Sequence, residues 1–142
     1  MIINETVTFK ASQAQVWDLL TNPEKTRQYM FGSEVISTWN VGDSIEWKGK
    51  TEAGKAIVFV KGEIVEYTAG KLLTQTMFDP HMGLDDVSEN YAKLTYALFE
   101  DKTGTVLKIT QDFTGVGQAQ KRFEESQQGW PMVIKLMKEM LD

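Results

Sequence analysis

The chain has 142 residues, of which 42% are hydrophobic, 25% charged and 11% aromatic, four of them Trp. That is enough for one domain with a core that removes roughly 68–70% of the unfolded surface from water, and it excludes intrinsic disorder. A net charge of −5 with Lys and Arg scattered along the chain gives no electrostatic footprint for nucleic acid, and the absence of Cys excludes disulfides, thiolate metal sites and cysteine nucleophiles. Met1 to Lys10 alternates in polarity instead of forming a basic stretch followed by an apolar run. It therefore predicts neither a signal peptide nor a membrane span, and the expected location is cytoplasmic.

Ile3, Glu5, Val7 and Phe9 alternate with Ile2, Asn4, Thr6 and Thr8, the period of a first strand. Ser12 followed by Gln15 reads as a capping box, which starts a helix whose apolar face is Val16, Trp17, Leu19 and Leu20. Asn22-Pro23 restarts the chain as an N-cap and N1 proline of a second short helix, through about Tyr29. From Glu34 to Phe113 the pattern has period two, with runs Ser44–Gly49, Ala56–Tyr67, Leu72–Phe78, Tyr91–Glu100 and Thr105–Phe113. The turns between runs carry Gly42, Gly54, Gly70 and Gly104, so adjacent strands can pair as an antiparallel meander. After Gly115-Val116-Gly117 the period changes: Phe123, Trp130, Val133, Ile134, Met137, Met140 and Leu141 form the stripe of a long amphipathic helix. Pro131, preceded by Gly129, predicts a kink or a break in it. Asp79 to Asn90 is the longest irregular stretch, of the kind that sits at a cavity mouth.

This order of elements, with the motifs Phe9-Lys-Ala-Ser-Gln-Ala-Gln-Val16-Trp17, Asn22-Pro23-Glu24, Trp39-Asn-Val-Gly42-Asp, Gly62-Glu-Ile64, Gly104-Thr-Val-Leu107-Lys-Ile109 and Gly129-Trp130-Pro-Met-Val133-Ile134-Lys-Leu136, resembles the START/SRPBCC superfamily. It looks like the branch related to the activator of the heat shock protein 90 ATPase, over nearly the whole chain. The resemblance implies an α+β helix-grip fold: a curved antiparallel sheet of about six or seven strands around a long C-terminal helix, with two short helices after strand one. It also implies an internal pocket for lipids, sterols, polyketides or other apolar molecules. The sequence reads as residues 1–142 in a single domain, without the separate N-terminal domain by which a eukaryotic-type activator docks on the chaperone.

The residues expected to line the pocket are Met30, Phe31, Trp39, Trp47, Phe59, Met77, Phe78, Tyr96, Gln111, Phe113, Trp130, Ile134 and Met137. For each of them plain core packing is the alternative. Alternation over Leu107 to Phe113 places Gln111 on an otherwise apolar inner face, where its amide needs a partner: a ligand group, Tyr96 or another interior polar atom. His81, with Asp79, Asp85 and Asp86 around it, reads as a solvated acidic loop: metal sites need three placed ligands, and no Gly-x-Ser-x-Gly elbow exposes a serine. Gly115-Val116-Gly117 is a strand-to-helix turn rather than a phosphate cradle. No cofactor or metal is expected.

Three functions are consistent with this reading. The first is a non-enzymatic protein, monomer or homodimer, that binds an apolar small molecule, with Tyr96 and Gln111 orienting it. The second is a regulator that contacts the heat shock protein 90 machinery through its surface. The third is a cyclase- or hydratase-like enzyme with His81, Asp79 or Glu63 as proton carriers, an idea that loses its chemistry if His81 and Glu63 face solvent.

Overall fold

A computed structural model describes residues 1–142. Alternation makes strand β1 (Ile2–Phe9), with Ile3, Val7 and Phe9 buried and Asn4, Thr6 and Thr8 exposed. The capping box then forms as the sequence predicts: Ser12 Oγ accepts from Gln15 N at 3.1 Å, and Gln15 Oε1 accepts from Ser12 N at 2.9 Å. It starts α1 (Gln13–Thr21), which buries Val16, Leu19 and Leu20. Asn22 Oδ1 accepts from Glu24 N, with Pro23 at N1, and opens α2 (Pro23–Tyr29).

Six further strands follow: β2 (Glu34–Ser37), β3 (Ser44–Lys50), β4 (Ala56–Thr68), β5 (Leu72–Met77), β6 (Ala92–Asp101) and β7 (Gly104–Asp112). With β1 they make a seven-stranded antiparallel sheet in the order β1-β7-β6-β5-β4-β3-β2. The fold is thus α+β, as expected, with one more strand than the five runs of the alternating region.

The sheet is bent at two places. Register shifts fall between Trp47 and Lys48 on β3 and between Ile64 and Glu66 on β4, and such irregularities increase local twist. Near the second, β4 comes so close to β5 that a Cβ on Gly62 would lie 1.7 Å from the Thr76 carbonyl oxygen. Only glycine fits there.

The long helix α3 (Ala119–Leu141) lies against the concave face and buries Trp130, Val133 and Met137. Beneath it, cross-strand register aligns Ile64, Gln75, Leu94, Gln111 and Ile3 in one inward row, all five buried. Each fully buried aliphatic of this core contributes about 1.5–3 kcal/mol over exposure.

Of the kink or break expected at Pro131, the break does not occur: α3 runs through it as one 23-residue helix. Pro131 and Gln127 both lie on the exposed side, so water can take up the carbonyl that the missing N–H leaves free. The buried residues Trp130, Val133 and Met137 hold the helix on the sheet on both sides of the proline.

Candidate functional site

One end of the concave sheet is not filled by α3. A cleft of about 430 Å³ opens there, within the range of small-molecule sites. Its walls are the α2–β2 connection (Met30, Phe31, Ser33), Trp47 on β3, Phe59 and Val60 on β4, Met77 and Asp79 at the end of β5, Leu94, Gln111, and α3 through Glu125, Ser126, Gly129, Trp130 and Val133.

The α2–β2 wall is held by a compact hydrogen-bond network. Buried Thr26 donates to Ser33 O (3.1 Å) and accepts from Val35 N (3.1 Å), while Ser33 Oγ donates to Met30 O at 2.6 Å. Phe31 stands on this turn in the left-handed region, φ +52°, and is 70% exposed. That is a costly conformation for an aromatic residue, of order 1 kcal/mol or more, and no burial of its ring offsets it. Its ring borders α3 where Gly129 has no side chain: a Cβ there would be 4.0 Å from Phe31 Cζ. Across the cleft, Gly49 leaves room for Phe59, whose ring would lie 2.5 Å from a Cβ at that position.

Gln111, on the inner wall, and Gln75, beyond Leu94 on the same cross-strand row, are each paired with an indole. Trp130 Nε1 donates to Gln111 Oε1 at 2.9 Å, and Trp47 Nε1 donates to Gln75 Oε1 at 3.4 Å. Gln111 Nε2 reaches only the Met77 sulfur, at 3.4 Å, and Gln75 Nε2 has no partner at all. A buried donor left unmet costs about 1–3 kcal/mol. The sequence places Gln111 inward correctly, and of the partners it left open the one found is another interior polar atom, Trp130 Nε1, and not Tyr96. The Tyr96 hydroxyl is buried without a partner, edge-on to Trp130 with centroids 6.5 Å apart, and burial pushes its ionisation well above the ordinary phenol value.

Of the thirteen candidates, the structure brings Met30, Phe31, Trp47, Phe59, Met77, Gln111 and Trp130 together around the cleft. The other six lie elsewhere. Trp39 packs on Tyr67, Phe78 stacks on Tyr91 with centroids 4.9 Å apart, and Phe113 lies under the Arg122 guanidinium. Tyr96 and Met137 are core residues, and Ile134 packs against the core from the half-buried side of α3.

Sequence reasoning missed Leu94 and Val133, although alternation along β6 and the α3 stripe both point them inward. It also missed Arg122, for which no pattern signal exists. That side chain is 6% exposed and donates to Asn90 O (2.8 Å) and Met77 O (3.3 Å), tying the Asp79–Asn90 loop to α3. Burial pushes its pKa down, and Asp79 opposes this.

The proton-carrier set is not assembled. His81 and Glu63 are exposed and outside the cleft, the imidazole Nε2 lying 2.9 Å from Val58 O, and only Asp79 borders the cavity. No helix is long and apolar enough to cross a membrane.

The model of the family described as Activator of Hsp90 ATPase homolog 1-like protein matches residues 10–142. Protein ChR145 of Cytophaga hutchinsonii, known from a solution structure, is 33% identical over 99% of this chain and 92% of its own, with a TM-score of 0.76. Two crystal structures share the fold at 18% identity. CV1439 of Chromobacterium violaceum has a TM-score of 0.77 and coverage of 99% and 96%; MLL2253 of Mesorhizobium loti has 0.74, with 98% and 95%. No curated protein sequence matches the chain. A family match over most of the chain, on a sheet that wraps its last helix, places this protein in the Activator of Hsp90 ATPase homolog 1-like family of the START/SRPBCC superfamily.

Proposed function

We propose that the protein binds an apolar small molecule in the cleft between the concave sheet, the Met30–Ser33 turn and α3, acting as a single domain. The observation that carries this reading is the cleft itself: about 430 Å³ walled mainly by Trp47, Phe59, Leu94, Trp130 and Val133, with a few polar groups at fixed positions. Apolar walls in contact with water forgo the stabilisation that burial would give, about 25 cal/mol per Å², and a ligand that covers them regains it.

Native mass spectrometry of gently purified protein tests the reading. A retained apolar mass above the 16.1 kDa chain, lost in Gly129→Leu where a side chain fills the mouth, is the expected result. A clean unliganded mass, together with no uptake of the neutral dye Nile red, would overturn it.

A further inference from the structure

At the inner wall of the cleft the Gln111 amino group lacks a strong acceptor. An indole N–H only donates, so each tryptophan fixes which way its glutamine faces. Trp130 engages the oxygen of Gln111 and Trp47 that of Gln75, which turns both amino groups away from the indoles. Gln75 and Gln111 flank Leu94 on one cross-strand row, and each is at most 3% exposed. The only acceptor near Gln111 Nε2 is a thioether, a weak one, and Gln75 Nε2 has none. Met77 and Gln111 both line the cleft, so their N–H···S contact lies at its wall, where a ligand oxygen can displace a flexible methionine. The charged groups on the wall are Asp79 and Glu125, both acids. Arg122, behind Asp79, is spent on backbone carbonyls.

We propose that the cleft selects an apolar molecule with an uncharged hydrogen-bond acceptor, the carbonyl of a ketone, ester or amide, at its inner end, with Gln111 Nε2 as the donor. The inference rests on the binding reading above and narrows it. A ligand whose inner group is a donor finds the Gln111 oxygen already accepting from Trp130, with one lone pair left to compete for. A carboxylate could accept from Gln111, yet it would share the cleft with two acidic side chains and with no cation on the wall to receive it.

Three dyes of one skeleton test this on the unaltered protein by fluorescence titration. They are Prodan, a dimethylaminonaphthalene carrying a propionyl ketone; the same naphthalene without the acyl group; and the naphthalene carboxylate. Prodan should bind about three- to tenfold more tightly than the acyl-free dye, the range of one net hydrogen bond, and more tightly than the carboxylate. Its bound emission should shift to the red in Gln111-containing protein relative to Gln111→Met, in which the advantage over the acyl-free dye disappears. Equal binding of Prodan and the acyl-free dye overturns the acceptor inference while leaving the cleft a binding site. Tighter binding of the carboxylate overturns the requirement for an uncharged group. Failure of all three dyes to bind overturns both this inference and the reading beneath it.

Discussion

Replacing Trp130 with alanine removes a side chain that is 5% exposed, stands edge-on to Tyr96 and donates to Gln111. Truncating a buried tryptophan costs about 3–5 kcal/mol. One side of this indole borders the cleft, so water can enter the vacated space and reach Gln111 Oε1. That puts the loss at the low end, about 3 kcal/mol, or about 10 °C in Tm for a chain of this size. Trp130→Phe keeps most of the packing but drops the N–H, leaving the Gln111 oxygen unmet, for about 1–2 kcal/mol. Urea unfolding followed by far-UV circular dichroism measures both, and a cycle with Gln111→Met should return a coupling of about 1 kcal/mol. A loss below about 1 kcal/mol for Trp130→Ala, or a neutral Trp130→Phe, would refute the packing and the bond respectively.

Gly62→Ala drives a methyl into the Thr76 carbonyl and should cost about 3 kcal/mol, read as a fall in Tm; a neutral result would mean that β4 and β5 do not approach as described. Gly129→Ala relieves a mid-helix glycine without a clash, so thermal melts should show a gain of about 0.5–1 kcal/mol while Nile red binds more weakly in the narrowed mouth. A gain in stability with unchanged dye binding would separate Gly129 from the cleft. The phenols of Tyr29 and Tyr96 are both raised, mainly by burial, so the stability they supply is complete below the unfolded value of about 10 and is lost as pH rises above it. Tyrosinate absorbance should therefore report these two residues only as the chain unfolds in alkali; their ionisation with the circular dichroism still native would contradict their burial.

Local chemistry was the legible part of this chain. The Ser12/Gln15 box, the Asn22-Pro23 start and the alternation of β1, β6 and β7 each depend on residues within a few positions of one another, and each forms as read. Where the deciding atoms belong to different elements, the sequence was silent. The inward position of Gln111 follows from alternation, but its partner Trp130 comes from a helix, at an angle that only the packed fold sets. A break, one of the two outcomes expected at Pro131 beside a kink, is what an isolated helix would suffer, whereas here the proline lies on the exposed side and buried neighbours hold the helix to the sheet. The same limit divides the aromatic candidates: Trp47 and Trp39 look alike in sequence, yet one borders the cleft and the other packs on Tyr67.

Departures from local preference are informative when packing does not account for them. Trp39, at φ +63°, has such an account, since its half-buried ring packs on Tyr67. Phe31, at φ +52° and largely in solvent, has none, and neither does the glycine in mid-helix beside it or the unmet amino group of Gln75. Each of these costs of order 1 kcal/mol or more in the unliganded molecule, and a domain of this size holds only about 5–15 kcal/mol in all. Away from the cleft, Tyr29 donates to Leu19 O at 2.8 Å and Thr105 to Ala11 O at 2.8 Å, whereas the Tyr96 hydroxyl is buried without a partner. Phe31 and Gly129 both border the cleft, so on the binding reading proposed above a ligand seated there would offset their cost with contacts that the free protein lacks.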